Sequence, residues 1–238
     1  MSKKKQKLNT PKHLKFRGHK DKDIFNDVFE NDCYGLTQWS PPQTYRLPKF
    51  IVDIGANIGS FGCLAAELYP NTTILSFEMA DSNIKELTEH LIPYKNTKAI
   101  HKAVIGDSQL LGYRYHPSNP GGHKCMFESN ETYLGSGRVP WPDSDITEPG
   151  KAITLKEVFA EYNIDTIDFL KLDCEGAEYE ILFHAANHNL LKKIDTIAME
   201  VHGLDNEKQV NKLKSIIQEN YTTYTMRGQI WHASMPRK

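Results

Sequence analysis

From residue 49 to residue 201, short apolar runs alternate with amphipathic stretches, and this rhythm restricts the chain more than any other feature. FIVDI after Lys49, TTILSFE at 72–78, TKAIHKAVI at 97–105, TIDFLKL at 166–172 and KIDTIAMEV at 193–201 are apolar, partly β-branched runs of strand type. Between and after them, residues 58–69, 81–91, 154–162, 177–186 and 206–220 carry apolar residues at helical spacing. Pro70 and Pro93 follow two of these helices, and Asp81 or Ser82 stands where a cap is expected. Strands separated by helices predict a mainly parallel sheet covered on both faces. The end of the chain, YTTYTMRGQIWHASM, reads as two β-rich runs around Arg227-Gly228 and predicts a C-terminal antiparallel hairpin. LGYRYH at 111–116 is expected to add a strand.

Three segments depart from that rhythm. Residues 1–20 hold eight lysines and arginines and no acid, so the remainder of a chain of net charge −1 carries −9. The basic segment is expected to be a flexible, solvated tail, and a body at −9 speaks against a nucleic-acid channel as the main site. Residues 21–49 form a second segment. Ile24, Phe25, Val28 and Phe29 predict a short helix over 22–31, and a proline-rich connection ends near Pro48. The third segment, 117–150, is dense in Pro, Gly and Ser, and is expected to be a loop-rich insertion. Tyr133, Trp141 and His123 within it point to an acceptor pocket or lid. The domain division is therefore 1–20, 21–49 and 50–238, with the N-terminal segment packed on or near the active site.

No window approaches the ~20 apolar residues of a membrane span. Cys33, Cys63, Cys125 and Cys174 form no C-x-x-C pair and no zinc spacing. A reduced, cytoplasmic chain is the expectation.

Asp53-Ile-Gly55-Ala-Asn57-Ile-Gly59 marks a strand–turn–helix junction of the kind that binds nucleotide cofactors. Gly55 and Gly59 allow close approach of backbone to ligand. A dinucleotide fingerprint requires a middle glycine where Asn57 stands. Asp53 suits a cationic group, which favours S-adenosylmethionine over a pyrophosphate. Ser60, within the helix that follows, is a further candidate for cofactor binding. Glu78, 23 residues beyond Gly55, ends the second strand and suits ribose hydroxyls. Ala103 and Val104 are compatible with an adenine edge.

Lys171-Leu-Asp173-Cys-Glu175-Gly176-Ala-Glu178 closes the fourth strand, where ligands of open α/β sheets bind. Asp173 and Glu175 are candidate acid–base groups, while Glu178 reads as a first-turn helix acid. Glu200 and His202 share a face of the fifth strand, and His202 is a candidate base near neutral pH. Lys171 and His202 are expected to support Asp173 or Glu175. A divalent metal held by these carboxylates, with Glu200 or His202, is possible but is not predicted.

Together FIVDIGANIGSF (50–61), LSFEMADSN (75–83), KAVIGD (102–107), TLKEVF (154–159), IDFLKLDCEGAEYEIL (167–182) and IAMEVH (197–202) resemble the FkbM-type methyltransferases. The resemblance runs from about residue 50 to 202. It implies a Rossmann-like class I methyltransferase fold with a seven-stranded sheet, S-adenosylmethionine as cofactor, and O-methylation of a hydroxyl on a sugar, glycan or other natural product. The alternatives are a cofactor-binding module without catalysis, or transfer to a nitrogen or polymer acceptor. The oligomeric state is not legible.

Overall fold

The computed structural model describes residues 11, 13–39, 47–107, 110–114, 122–127 and 152–235, the two short stretches 110–114 and 124–127 by backbone alone. Tyr133, Trp141, the first ten residues and most of 117–150 lie outside the described residues.

The central sheet is built from β1 (Phe50–Ile54), β2 (Thr73–Glu78), β3 (Thr97–His101), β8 (Phe169–Leu172), β9 (Thr196–Glu200), β10 (Thr223–Arg227) and β11 (Ile230–Ser234). Its order is β3-β2-β1-β8-β9-β11-β10. β1, β2, β3, β8 and β9 pair in parallel, and β11 returns antiparallel between β9 and β10. This is the expected seven-stranded α/β sheet with a C-terminal hairpin. The strand order reverses direction at β1, so β1 and β8 flank the switch point.

Helices α2 (Ser60–Leu68) and α3 (Asp81–Leu91) cover one face, and α4 (Leu155–Glu161), α5 (Glu178–Asn187) and α6 (Glu207–Asn220) the other. Alternation along each strand sorts side chains between two cores. Val52, Leu75 and Leu170 face α4, α5 and α6, while Ile51, Ile74 and Phe169 face α2 and α3. Asp53, Ser76 and Lys171 therefore belong to the α2 face, and register sets Asp53 opposite both Ser76 and Lys171.

Several boundaries differ from the expected ones. The run 97–105 is two strands. After Lys102 the chain leaves the main sheet, and β4 (Ala103–Ile105) pairs instead with β7 (Ala152–Thr154). The expected strand at 111–116 is β5 (Leu110–Arg114), which forms a separate antiparallel pair with β6 (Lys124–Phe127), so a strand lies inside the segment expected to be loop. The helix expected over 154–162 begins at Leu155 because Thr154 and Glu157 cap it reciprocally. The N-cap of α3 is Ala80, one residue before the expected Asp81, and it supplies no side-chain cap; its amide donates to Glu78 Oε1 at 2.9 Å.

The helix expected over 22–31 is α1 (His19–Phe25) running into a π-helical turn at Asn26–Glu30. Phe25, Phe29, Tyr34 and Leu36 pack with Phe61, Leu64 and Phe169, so the extension is part of the α2-face core. The end of the basic segment is also held. Arg17 forks onto Asp21 and donates to Asn83 Oδ1 and Ser82 O, and His13 contacts the carbonyl of His90. The expectation of a flexible tail through residue 20 is therefore corrected for residues 13–20.

Candidate functional site

A cleft of about 520 Å³ opens at the carboxyl ends of β1, β2, β8 and β9, with β4 as one flank and the N-terminal extension as the opposite wall. That volume is in the range of cofactor and small-molecule sites.

The floor is the turn after β1. Gly55 has φ +77°, and a side chain there would place its Cβ 1.7 Å from the carbonyl oxygen of Asp173, so only glycine lets these two backbones cross. The amides of Gly55 and Ala56 both donate to the carbonyl of Phe77. Asn57 also lies at positive φ, 50°. Its amide donates to Glu78 Oε2 at 2.8 Å, and its buried side-chain oxygen has no hydrogen-bond partner among the described residues. Gly59 is absent from the cleft wall. It adopts φ +95° at the start of α2, where a Cβ would stand 2.8 Å from Leu87. Ser60, Ala103 and Val104 line the cleft. So does Glu78, whose carboxyl burial pushes up to about 7 against the pull of the Ala80 and Asn57 amides.

Asp53 overturns the reasoning that singled it out. It is fully buried and does not line the cleft, and its counter-charge comes from the chain itself. The Lys171 ammonium lies 3.2 Å from Asp53 Oδ1, donates to the Gly55 carbonyl at 2.7 Å, and stands 3.8 Å from Asp173 Oδ2. Burial raises the Asp53 carboxyl while Lys171 opposes it. Burial also works against the Lys171 ammonium, but Asp53 and Asp173 outweigh it and raise its pKa. Lys171 thus ties the strand end, the glycine turn and Asp173 together.

Asp173 receives the hydroxyl of Tyr34 on Oδ2 at 2.9 Å. Burial first, and then the Asp173 charge, push the Tyr34 phenol well up, so it stays a donor. The Lys171 ammonium also sits 5.4 Å from the Tyr34 ring centre. Tyr34 comes from the extension, outside every motif in the sequence.

Glu178 opens α5 as expected, and it does more. One oxygen accepts the Gly176 amide at 2.8 Å, and the other accepts the His202 amide at 2.7 Å and faces His202 Nδ1 at 3.1 Å. His202 Nε2 lies 3.7 Å from Glu175 and 3.9 Å from Glu200. Burial disfavours the imidazolium, but Glu178, Glu175 and Asp173 prevail and raise it to about 10. These three carboxylates favour the imidazolium of His202 over the neutral base that sequence reasoning assigned to it. The Glu200 carboxyl moves up through burial and the Asp173 charge. Glu175 is held at φ +54°, a left-handed position that is uncommon outside glycine.

Asp173, Glu200 and His202 present ligand atoms within 4.8 Å of one another. With its Nδ1 facing Glu178 and its Nε2 facing Glu175 and Glu200, His202 has both ring nitrogens set against carboxylates, so this trio reads as an ion-pair cluster before a metal ligand set. Gly55, Asn57, Ser60, Glu78, Ala103, Val104, Lys171, Asp173, Glu175 and His202 all meet at the cleft. Sequence reasoning missed Tyr34, Asp23 and Asp27 on the extension wall. A lone aromatic in DCYGL and acids on an exposed helix face carry no periodic signal.

Residues 53–224 match the family described as Methyltransferase FkbM domain. The chain is similar to "Methyltransferase sdnD" of Sordaria araneosa, at 29% identity over 180 residues, covering 67% of this chain and 66% of that protein. It is also similar to "31-O-demethyl-FK506 methyltransferase FkbM" of Streptomyces tacrolimicus, at 21% identity over 204 residues, covering 76% and 75%. The chain spans about two thirds of the length of the first of these relatives. Among solved structures, an rRNA methylase from Streptococcus thermophilus aligns at 9% identity over 88% of this chain and 96% of that one, with a TM-score of 0.45.

Proposed function

The chain belongs to the methyltransferase FkbM domain family, and on that premise we propose that it is an S-adenosylmethionine-dependent O-methyltransferase acting on a hydroxyl of a sugar, glycan or other natural product. The observation that carries this reading is a single cleft holding both the Gly55–Asn57 cradle and the carboxylate of Asp173. The name of the Streptomyces tacrolimicus relative, which specifies an O-demethylated natural product, supports a hydroxyl acceptor.

The cradle fits the cofactor. A buried acceptor without a partner among the described residues, Asn57 Oδ1, calls for a donor from a ligand, and the cofactor's amino group and ribose hydroxyls are donors. Gly55, Asn57, Ser60 and Glu78 would hold its polar parts, and Ala103 and Val104 its adenine. Asp53 acts behind them by fixing Lys171. When bound, S-adenosylmethionine supplies a methyl group on a sulfonium, which is already strongly electrophilic.

The chain's own work is to align the acceptor and take its proton. Asp173 is the base in this reading. Its Oδ2 is held by Tyr34 and steadied by Lys171, leaving Oδ1 to receive the hydroxyl proton. Glu200, whose carboxyl the Asp173 charge helps to raise, is the nearby group for that proton to move to. Glu175 pairs with the His202 cation at the rim.

Calorimetry with S-adenosylhomocysteine, together with methyl transfer from labelled cofactor to a panel of sugar, natural-product and amine acceptors, tests the proposal. Asp173→Asn should lower turnover by about 10²-fold or more, the scale of a lost general base, while homocysteine-product affinity stays within about threefold. Absence of product binding in the wild-type protein would remove the cofactor assignment. Wild-type turnover in Asp173→Asn would remove Asp173 from proton transfer. Transfer confined to amines would move the acceptor from oxygen to nitrogen.

A further inference from the structure

We propose that Asp107, His184 and His188 form a binding site for a divalent transition ion of the zinc or cobalt class, at the root of the cleft's β4 wall and apart from the methyl-transfer centre. His184 and His188 lie four residues apart at the end of α5, the spacing that puts two side chains on one helix face. Their rings are 4.3 Å apart between centres. Asp107 comes from a different element, the turn after β4, so the three groups converge from two directions.

The turn that carries Asp107 is built for that approach. A Cβ on Gly106 would fall 2.5 Å from both the Cγ and the carbonyl oxygen of Glu180, so glycine allows the chain to press onto the α5 backbone. The next residue is thereby delivered to the helix face one turn on. Asp107 Oδ1 lies 2.7 Å from His184 Nδ1 and 3.5 Å from His188 Nε2. An ion with bonds of about 2.1 Å in tetrahedral geometry needs donor atoms about 3.4 Å apart. The two observed separations lie on either side of that spacing, so an ion can be taken up here by side-chain adjustment. All three residues offer ligand atoms within 4.8 Å of one another.

Burial and chemistry agree. His184 is 3% exposed, and the ring nitrogen that faces Asp107 is Nδ1. Asp107 and His188 are open enough to admit an ion from solvent, at 60% and 35% side-chain exposure. Two imidazoles and one carboxylate select zinc, cobalt, nickel or copper over magnesium and calcium, and solvent completes the coordination. The cleft trio has the same ligand types but a histidine faced by three carboxylates. Here the two histidines share a single exposed aspartate. Because Val104 lines the cleft three residues before Asp107, an ion here would brace the strand end that forms that wall.

The test uses tag-free full-length protein stripped with a chelator and then titrated with Co²⁺, read by the visible absorption of tetrahedral cobalt, with Zn²⁺ as competitor. One ion per chain is expected. His188→Ala and Asp107→Asn should each weaken binding at least tenfold, while Glu200→Gln leaves it unchanged. Zn²⁺ should raise the thermal midpoint of the wild-type protein and not that of His188→Ala. No saturable binding, or binding that His188→Ala and Asp107→Asn leave intact, overturns the proposal. Binding lost in Glu200→Gln and kept in His188→Ala would place the ion in the cleft and overturn it as well.

Discussion

Lys171 shows how one side chain can hold a site together. Its ammonium is enclosed, at 4% exposure, and has three oxygen partners: Asp53, the Gly55 carbonyl and Asp173. An ion pair this deep owes its stability to both members being present, because either one alone is a buried charge with nothing to meet it. Lys171→Met should therefore cost about 3–5 kcal/mol in a urea titration. The double change Lys171→Met with Asp53→Asn should recover part of the loss by removing the stranded carboxylate. Equal destabilisation by the single and double variants would show that the Asp53 pair is not the source. Both residues were legible as motif members, but their partnership was not. It depends on β1 and β8 being neighbours with Asp53 and Lys171 in register, which no local pattern specifies. The same missing neighbour relation led Asp53 to be read as a ligand for an external cation. His202 was read from its ordinary titration range, and of its three carboxylate neighbours Glu175 and Glu178 come from the stretch after β8 and Glu200 from its own strand end.

Among the elements, the N-terminal extension contributes most to the cleft that its own sequence does not announce. α1 and the π turn present Phe25 and Phe29, stacked at 4.9 Å, to the α2 face of the sheet. Asp23, Asp27 and Tyr34 ride on the same segment into the cleft wall. Apolar seat and functional rim are therefore separable. Phe25→Ala should destabilise the fold by about 3–5 kcal/mol, as for a buried aromatic truncated in a core. Tyr34→Phe should leave the urea midpoint nearly unchanged, since the ring remains, and yet shift the pH profile of methyl transfer by releasing Asp173 Oδ2. Unaltered pH dependence in Tyr34→Phe would make that hydrogen bond irrelevant to the reaction. The helical spacing of Ile24, Phe25, Val28 and Phe29 was enough to predict the helix, because burial of one face is a local property. Lys102 shows the opposite case. TKAIHKAVI has an unbroken strand pattern, and it divides only because β3 and β4 pair with partners far apart in the chain, β2 and β7.

At the scale of the whole molecule, the α/β alternation fixed the sheet and the location of the cleft, because right-handed crossovers leave ligands few places other than the strand ends at the switch point. The charges collected there have a consequence for stability. His202 titrates at about 10 in the fold against 6.5 ordinarily. Between those values the folded chain keeps a proton that the unfolded chain has released, so a contribution present in full below pH 6.5 is lost as pH rises towards 10. Glu78 acts in the same direction over a lower window. Burial raises its carboxyl from 4.5 to about 7 in the fold, so a contribution present in full below pH 4.5 is lost as pH rises towards 7. Asp21 works in reverse. Arg17 overcomes the effect of burial and holds its carboxyl below 3.8, so its contribution is present above that value and is lost on acidification. The three together predict a stability maximum near about pH 5 and a decline of a few kcal/mol, on the order of 2 or more, by about pH 9.5. Urea midpoints measured from pH 4 to 10 check this. In the double variant Glu178→Gln with His202→Gln, which keeps a hydrogen-bonding pair without its titration, the decline above pH 7 should flatten. A wild-type midpoint that stays level from pH 7 to 9.5 would mean that His202 is neutral in the folded protein, and would return it to the set of possible bases beside Asp173.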